Sequence, residues 1–304
     1  MAETDLTGRT ILITGGAGFI GSHIADALTT DNDVTVLDDL SSGSRENVPD
    51  GATFIEGDVR DDDTLKNAAA DADVIFHEAA IVSVQQSIDQ PQRCQDVNLT
   101  GTLAVLEAAR REDARVVFAS SAAIYGEPTG VPIDEAEPTA PASPYGIDKC
   151  AADQYVRTYH DLYGLDTVAL RYFNVYGPGQ TGGDYSGVIS IFREQALTGD
   201  PITVDGDGSQ TRDFVHVEDV VRANLLAATT DAVGTAYNIG TGTETSIQTL
   251  AETVQSIADT DSPIVHGEPR PGDIDRSCAD VTRAREQLGY EPKISLEEGL
   301  RTLF

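Results

Sequence analysis

Short apolar runs alternate along the chain with longer segments in which apolar residues recur every three or four positions. The first run, residues 11–13, is apolar throughout, which is typical of a strand buried on both faces of a sheet. Further strands are predicted at 34–37, 53–56, 74–77, 115–119, 166–171 and 237–240. Helices are predicted through Ile24, Ala25 and Leu28 and at 61–70, 91–111, 145–163, 216–230 and 246–258. This alternation predicts an α/β fold, a doubly wound parallel sheet with helices on both faces.

The alternation loosens beyond residue 171. Glycine and proline cluster at 177–183, and a second glycine-rich loop follows at 206–213. The segment from 262 onward holds a proline-rich turn and two short helical patterns. We therefore predict two domains: a larger α/β domain formed by 1–175 with 211–261, and a smaller, discontinuous cap formed by 176–210 with 262–304.

Four glycines lie between the first strand and the first helix: Gly15, Gly16, Gly18 and Gly21. Glycine permits a tight turn and a close approach of the backbone, and the N-terminus of the next helix offers unpaired N–H groups. A strand, a glycine turn and a helix in this order predict a phosphate-binding cradle of the Rossmann type. The cluster fits both Gly16-x-Gly18-x-x-Gly21 and Gly15-x-x-Gly18-x-x-Gly21.

An acidic pair ends the second predicted strand. Asp38 and Asp39 follow the glycines by about 20 positions, where a carboxylate accepts hydrogen bonds from the adenosine ribose of a dinucleotide. Because a carboxylate repels a 2′-phosphate, the position favours NAD over NADP. The alternative interpretation is that Asp38 only begins a polar loop.

The charge balance is strongly acidic. Acidic residues outnumber basic ones by 51 to 20, which gives a formal net charge of −31. The acids are spread along the chain, so one interpretation is an ordinary solvated surface. The scarcity of lysine favours a second interpretation, adaptation to high salt, where screening removes most of the self-repulsion. In either case the charge disfavours nucleic acid and anionic membranes as partners.

The cysteines and histidines show no spacing typical of a metal site or a disulfide. Cys94, Cys150 and Cys278 lie far apart, and the five histidines are scattered. We therefore predict no metal site and a reducing compartment. No apolar N-terminal segment follows a basic region, and no apolar run approaches a membrane span, so we expect a soluble, cytoplasmic protein.

A tyrosine and a lysine lie four positions apart in a predicted helix. Ser143 is suited to the N-cap and Pro144 to the first turn, so Tyr145 and Lys149 share one face. A neighbouring ammonium stabilises a phenolate, which makes Tyr145 a candidate general acid and base. A surface pair is the alternative, but the position after the glycine cradle and after Ser121, at the end of a strand, favours catalysis.

Together these motifs resemble a known family. They are Gly15-x-x-Gly18-x-x-Gly21, Asp38, Asp58-Val59, His77-Glu-Ala-Ala80, Asn98, Ser121, Tyr145-x-x-x-Lys149, Arg171-Tyr-Phe-Asn-Val-Tyr-Gly-Pro178, Gly206-Asp-Gly-x-Gln-Thr-Arg-Asp-Phe214 and Arg270-Pro-Gly-Asp273. The chain resembles the extended short-chain dehydrogenase/reductase superfamily and, within it, the nucleotide-sugar epimerases of the UDP-glucose 4-epimerase family. The resemblance runs essentially from end to end, and it selects the Gly15-x-x-Gly18-x-x-Gly21 spacing.

The resemblance implies roles for the matching residues. The cofactor residues would be Gly15, Gly18, Phe19 and Ile20 at the pyrophosphate, Asp38 and Asp39 at the adenosine ribose, Asp58 and Val59 at the adenine, and Ala79, Ala80, Asn98, Tyr172 and Phe173 along the nicotinamide half. The nucleotide diphosphate site would be lined by Asn174, Val188, Thr203, Arg212 and Arg270. Ser121 would bind the sugar hydroxyl and Tyr145 would take its proton. Lys149 would bind the nicotinamide ribose and lower the pKa of Tyr145.

Two of these residues are arginines, and arginine pairs well with the oxygens of a diphosphate. For Arg212 the alternative is an ion pair with Asp213 or Asp219.

The residues after Ser121 bear on the reaction. Related dehydratases carry an Asp-Glu pair there, whereas this chain has Ala122 and Ala123, and the glutamate expected of a decarboxylase is also missing. The resemblance therefore implies NAD-dependent epimerisation at C4 of UDP-glucose and UDP-galactose, through a 4-keto intermediate with return of the hydride to the sugar. The alternatives are another nucleotide-sugar-modifying member of the superfamily, which would be a dehydratase, a decarboxylase or a net oxidoreductase, and a non-catalytic NAD-binding sensor.

Ser277 bears on the choice of sugar. It lies seven positions after Arg270, where related epimerases that exclude N-acetyl sugars carry a bulky residue. The small serine predicts that UDP-N-acetylglucosamine is also accepted.

Analogy with relatives suggests a homodimer, paired through the helices that hold Asn98 and Tyr145. Their apolar residues form either that interface or the core: Leu99, Leu103, Val105, Leu106, Ala151, Ala152, Tyr155 and Val156.

Overall fold

The computed structural model describes residues 6–180, 187–270 and 272–304. Their strands are β1 (Thr10–Thr14), β2 (Asp33–Asp38), β3 (Thr53–Glu56), β4 (Val74–His77), β5 (Arg115–Ser121), β6 (Thr167–Tyr172), β7 (Asn174–Tyr176), β8 (Ile202–Asp205), β9 (Thr211–Arg212), β10 (Phe214–His216), β11 (Thr235–Ile239), β12 (Thr245–Ser246) and β13 (Ile264–Gly267). Their α-helices are α1 (Phe19–Leu28), α2 (Asp62–Ala68), α3 (Val84–Asp89), α4 (Pro91–Gln95), α5 (Gly101–Glu112), α6 (Pro144–Tyr163), α7 (Val188–Thr198), α8 (Val217–Ala227), α9 (Ile247–Ile257), α10 (Thr282–Leu288) and α11 (Leu296–Arg301).

A seven-stranded parallel sheet forms the centre of the fold. Its order is β11-β6-β5-β4-β1-β2-β3, and it contains every strand predicted from the apolar runs. From β1 the chain builds outward to β2 and β3 and then returns to the other side of β1 at β4. In open parallel sheets, ligands bind at the carboxyl ends of the strands beside such a switch point. The predicted doubly wound α/β class is confirmed.

Helices cover both faces of the sheet, as the alternating sequence predicted. Within β1, Ile11 and Ile13 enter one apolar cluster with residues of α1 and α8, while Leu12 enters a second cluster with residues of α2, α5 and α6. Burial on both faces explains why the strand is apolar at each of these positions. Four residues that could have formed a dimer interface belong instead to this second cluster: Val105, Leu106, Ala152 and Val156.

A third apolar cluster joins segments that are distant in the sequence. Parallel pairing of β13 with β8 connects the region after 262 to the region before 210, as the predicted discontinuous cap requires. The cluster includes Phe192 of α7, Val204 of β8 and Leu300 of α11. It also includes Leu250 of α9, a helix that the predicted division assigned to the larger domain. The division itself stays a prediction.

The predicted helix 91–111 is interrupted. Between α4 and α5 lies a π-helical turn, Asp96–Thr100, which shifts the helical phase and directs the Asn98 side chain to the loop after β4. Apolar spacing does not predict such a turn, which is rare and often occurs at functional sites. The helices predicted at 61–70, 145–163, 216–230 and 246–258 correspond to α2, α6, α8 and α9, and the two short helices predicted near the end are α10 and α11.

The structure describes only part of the predicted loop at 177–183, and it shows a short strand within the predicted loop at 206–213. Residues 181–183 lie outside the described residues, and the short strand is β9. Within the described chain, no helix combines the length and the apolar character needed to cross a membrane.

Candidate active site

A cleft of about 560 Å³ opens at the carboxyl end of the sheet beside the switch point. It is lined by the glycine turn after β1, by the segments that follow β2, β3 and β4, by the end of β5, and by the first turns of α6. Apart from Asn98, every residue that the sequence placed at the cofactor lines this cleft, and so does Ser121. The structure thus brings together residues separated by more than a hundred positions in the chain.

The glycine turn has room for a ligand only because side chains are absent. Gly15 has φ +71°, and a Cβ atom there would lie 2.5 Å from the Ala79 nitrogen. A Cβ atom on Gly21 would lie 2.3 Å from the Gly15 carbonyl oxygen. Gly15, Gly18 and Gly21 line the cleft, whereas Gly16 packs on the Val36 side chain, so the residues facing the cleft follow the Gly15-x-x-Gly18-x-x-Gly21 spacing.

The helix after the turn completes the cradle. Gly18 is the N-cap of α1, and Phe19 and Ile20 of its first turn line the cleft. The N–H groups of a first helical turn have no partners within the helix, and the helix dipole adds a partial positive charge. This arrangement fits the pyrophosphate of a dinucleotide.

Carboxylates line the end of the cleft beside β2 and β3. Asp38 accepts the N–H groups of Ala17 at 3.0 Å and Leu40 at 2.8 Å, so it ties the glycine turn to the end of β2. Burial raises the pKa of this carboxyl. Asp58 is bound by the Arg60 guanidinium, which holds the pKa of that carboxyl below its usual value.

The candidate catalytic residues meet where β5 approaches α6. Ser121 ends β5 and caps a short 3₁₀ turn, Ala122–Ile124, by accepting the Ala123 N–H at 3.2 Å. Ser143 is the N-cap of α6, as predicted, and accepts the Gly146 N–H at 3.1 Å. The first turn of this helix places the Tyr145 phenol next to the Ser121 hydroxyl.

Lys149 lies one turn further along α6 and is buried. Its Nζ donates to the Ala119 carbonyl oxygen at 2.8 Å and lies 4.9 Å from the centre of the Phe118 ring. Burial lowers the pKa of Lys149 to about 8.

The lowered pKa predicted for Tyr145 is not found in the protein without ligands. Burial raises the pKa of the phenol, and the hydrogen bond from Ser121 offsets only part of that rise. Glu78 adds to the rise, because its negative charge opposes a phenolate. The expectation that Lys149 gives Tyr145 a lowered pKa is therefore wrong for the protein without ligands.

Glu78 is a cleft residue that the sequence interpretation did not single out. It follows β4 directly, lines the cleft, and accepts a hydrogen bond from the Tyr172 hydroxyl at 3.0 Å. Burial raises the pKa of Glu78 to about 7. The available signal was its position: a charged residue at the carboxyl end of a central strand, inside the segment 77–80. Arg60 and Arg93 also line the cleft and were not predicted.

Asn98 contacts the cleft indirectly, through its hydrogen bonds to the loop after β4. Its side-chain oxygen accepts the Ile81 N–H at 2.7 Å, and its amide donates to the Ile81 carbonyl at 2.9 Å. Ile81 lines the cleft but Asn98 does not, so Asn98 positions the loop after β4 rather than forming part of the wall.

The predicted substrate residues other than Ser121 and Tyr145 lie outside the lining of this cleft. Asn174 begins β7, Val188 begins α7, Thr203 of β8 bonds to Gln195, and Arg270 is exposed. Gln180 and Gly187, the residues that flank the undescribed segment, do line the cleft.

Two of the substrate residues are close to each other. Ser277 is buried and donates its N–H to the Thr211 carbonyl at 3.1 Å, directly beside Arg212. Arg212 pairs with Asp273, so the alternative partners Asp213 and Asp219 are wrong; both are held by backbone N–H groups elsewhere.

A parallel sheet with a glycine cradle and a Ser-Tyr-Lys group at its carboxyl edge defines a dinucleotide-dependent enzyme of the short-chain dehydrogenase/reductase class. The model of the NAD dependent epimerase/dehydratase family matches residues 11–240. The chain belongs to this family, and its cofactor is NAD.

Named relatives narrow the class to enzymes that modify nucleotide sugars. The UDP-glucose 4-epimerase of Mycolicibacterium smegmatis is 42% identical over 299 residues, 95% of each chain. The Thermotoga maritima UDP-glucose 4-epimerase, solved with UDP-glucose, superimposes with a TM-score of 0.93 at 42% identity over 96% of each chain. The UDP-N-acetylglucosamine 4-epimerase of Methanobrevibacter ruminantium, solved with UDP-N-acetylmuramic acid, gives 0.94 at 38% identity over 97% of each chain.

Proposed function

We propose that the chain catalyses the NAD-dependent epimerisation of a UDP-hexose at C4. The observation that carries this assignment is the meeting of Ser121, Tyr145 and Lys149 in the cleft that also contains the glycine cradle. An alcohol oxidation needs a base at the hydroxyl and a hydride acceptor, and the cleft offers Tyr145 for the first and a dinucleotide site for the second.

NAD, when bound, supplies reversible hydride acceptance at the sugar carbon. The pyrophosphate would be held by Gly15, Gly18 and the first turn of α1, and the adenosine ribose by Asp38 and Asp39. Ser121 would orient the C4 hydroxyl and Tyr145 would take its proton, returning that proton when the sugar is reduced on its other face. In the NAD-loaded enzyme Lys149 would supply the positive charge that favours a phenolate at Tyr145, whose pKa is raised in the chain by itself.

Elimination of water is not expected at this site. The turn after Ser121 is Ala122–Ile124, whose side chains cannot transfer a proton. Glu78, a carboxylate of the cleft lining, is hydrogen-bonded to Tyr172. An oxidised sugar at this site would therefore be reduced again rather than dehydrated.

The test is incubation of the purified protein with UDP-, dTDP- and GDP-hexoses without added cofactor, followed by identification of the products. We expect the protein to retain NAD and to interconvert UDP-glucose and UDP-galactose. Tyr145→Phe should lower kcat by a factor of about 10² to 10⁴, the usual contribution of a general acid–base group. Net accumulation of NADH, or a 4-keto-6-deoxy product, would contradict epimerisation.

The proposed substrates include UDP-N-acetylglucosamine. The small side chain of Ser277 supports this, and a UDP-N-acetylglucosamine 4-epimerase is among the similar structures. Ser277→Tyr should abolish turnover of the N-acetyl substrate and retain that of UDP-glucose. Because Ser277 is buried, the UDP-glucose activity also reports whether this variant folds.

We further propose that the enzyme is a homodimer with a surface adapted to high salt in a reducing cytoplasm. Ile147, Tyr155 and Leu162 form an exposed apolar stripe on α6, with exposed fractions of 56%, 43% and 68%. The net charge of −31 supports the salt adaptation, and the three buried, unpaired cysteines are consistent with reducing conditions.

A further inference from the structure

A fixed carboxylate lies at the same edge of the sheet as the candidate catalytic lysine. The Glu78 Oε1 accepts the Tyr172 hydroxyl at 3.0 Å, and that hydroxyl accepts the Asn224 amide at 2.8 Å. Asn224 is fully buried on α8 and also donates to the Val220 carbonyl. The Glu78 side chain is thus oriented by β6 and, through Tyr172, by α8.

The register of the sheet places Glu78 beside the anchor of Lys149. His77 of β4 is opposite Phe118 of β5, so the next residue, Glu78, is level with Ala119 on the neighbouring strand. Lys149 donates its Nζ proton to the Ala119 carbonyl at 2.8 Å. Neighbouring strands lie about 4.8 Å apart, so the carboxylate and the ammonium share one edge of the cleft.

We propose that Glu78 is the counter-ion of Lys149, a positioning residue that keeps the lysine ammonium charged beside Tyr145. Its catalytic consequence rests on the function proposed above. Without a partner, an ammonium that is removed from water tends to lose its proton, because burial disfavours the charged form. A carboxylate held in place by Tyr172 opposes that loss without itself touching the reacting hydroxyl.

The surrounding charges agree with this assignment. The charged and titratable groups that act on Lys149 or respond to it are Cys94 from α4, Asp148 on α6, His77 at the end of β4 and Glu78 directly after it, and Tyr145 lines the same cleft from α6. Glu78 has the largest effect among those that raise the pKa of Lys149, followed by Cys94 and Asp148. Glu78 also raises the pKa of Tyr145, so removal of its charge should move both groups in the same direction.

The scarcity of lysine makes a direct test possible. The chain has only Lys66, Lys149 and Lys293, so protein labelled with ¹³C and ¹⁵N in lysine alone gives three side-chain signals. Lys66→Arg and Lys293→Arg variants assign the other two signals. In NAD-loaded protein, Glu78→Gln should move the titration midpoint of Lys149 down by about one pH unit, the effect of one nearby charge. Glutamine can still accept the Tyr172 hydroxyl, so the fold should persist.

Two further variants separate charge from structure. Asp148→Asn neutralises another carboxylate near Lys149 and should produce a smaller shift, because Asp148 has the weaker influence. Glu78→Asp keeps the charge on a shorter side chain, so its Lys149 midpoint should lie between those of Glu78→Gln and the parent. Retention of the parental Lys149 midpoint in Glu78→Gln, or a larger shift in Asp148→Asn, would overturn the assignment.

Activity gives a second readout. In Glu78→Gln the bell-shaped dependence of kcat on pH should move to lower pH on both sides, with KM for the UDP-hexose changed less than twofold. A purely structural role for Glu78 would lower activity at every pH without moving the profile. If Lys149 shifts but no UDP-hexose is converted, the proposed function fails and the counter-ion assignment stands. If epimerisation occurs and neither Lys149 nor the profile shifts, the assignment fails alone.

Discussion

The His77 ring lies beneath the cleft and, in one neutral tautomer, forms hydrogen bonds with Thr14 and Thr102. The Thr102 hydroxyl donates its one proton to the Asn98 carbonyl at 2.6 Å, so it must accept from the His77 Nε2–H at 3.0 Å. Nδ1 is then free of a proton and accepts from the Thr14 hydroxyl at 2.7 Å. The neutral ring thereby connects the ends of β1 and β4 to α5. Burial lowers the pKa of His77 to about 3.

This neutral histidine should make stability depend on pH. The unfolded chain binds a proton at His77 below pH about 6.5, whereas the folded chain does not until pH about 3. Between these values His77 alone should lower the free energy of unfolding by about 1.4 kcal/mol for each pH unit. Above pH about 6.5 this effect is absent.

Urea unfolding at pH 7.5, 6 and 5 would measure the effect. His77→Gln should reduce the slope of stability against pH, so that the parent and the variant converge as the pH falls. His266→Gln, which removes an exposed histidine, is the matched control. Parallel slopes for the parent and His77→Gln would contradict the assignment.

At the scale of single residues, the sequence showed which residues form the candidate site better than it showed the burial and the charges that surround them. Tyr145 and Lys149 followed from a four-residue spacing, which a helix converts into a shared face. The pKa direction of Tyr145 was wrong, because burial and the Glu78 charge depend on strands that are distant in the sequence. Glu78 was overlooked for the same reason: only the sheet register shows that it lies level with Ala119.

Among the elements, helix α6 has two faces with separate tasks. One face carries Tyr145 and Lys149 into the cleft and, further along the helix, packs Ala152 and Val156 into the core, because these four residues recur every three or four positions. On the opposite face, Ile147 and Leu162 are exposed. An apolar stripe on an otherwise acidic surface is typical of a contact between protein chains.

The proposed dimer predicts a change of mass. In high salt the parent should sediment as two chains, and the double substitution Ile147→Glu with Leu162→Glu should give a single chain, because two like charges would be buried at the interface. Leu197→Glu changes an equally exposed leucine on α7 and should leave the mass unchanged. A single-chain mass for the parent would contradict the dimer.

The strands of the central sheet were predictable from the sequence, whereas α7, β8 and β13 were not. The seven predicted strands all joined one sheet, and all of them except the edge strand β3 contain buried apolar residues. Helix α7 was missed beside a glycine-rich segment, although Ile189, Phe192 and Ala196 recur with helical spacing. Strand β8 shows the alternation of a half-buried strand, but its partner β13 is distant in sequence.

For the whole molecule, the charge of −31 acts against both compactness and an anionic substrate. The cleft does not reverse this charge, because its lining carries as many carboxylates as cations or more: Asp38, Asp39, Asp58 and Glu78 stand against Arg60, Arg93 and Lys149, and Arg60 is paired with Asp58.

Salt should therefore raise both stability and activity. The screening length falls from about 10 Å at 0.1 M to about 3 Å at 1 M, so repulsion among surface carboxylates should largely vanish over that range. Thermal unfolding and UDP-hexose turnover in graded KCl would measure this. Sucrose, which stabilises folded proteins without screening charge, is the control. Unchanged folding and activity in dilute buffer would contradict the adaptation.

The pairing of β8 with β13 has a consequence for folding during synthesis on the ribosome. The last strand of the central sheet is complete at Ile239, but β8 at Ile202–Asp205 must wait for Ile264–Gly267 to emerge, and their shared cluster waits for Leu300. Synthesis from the N-terminus thus delivers a finished cradle before it delivers the cap. We therefore expect a nascent chain to bind its dinucleotide while still tethered to the ribosome, before the predicted cap is complete.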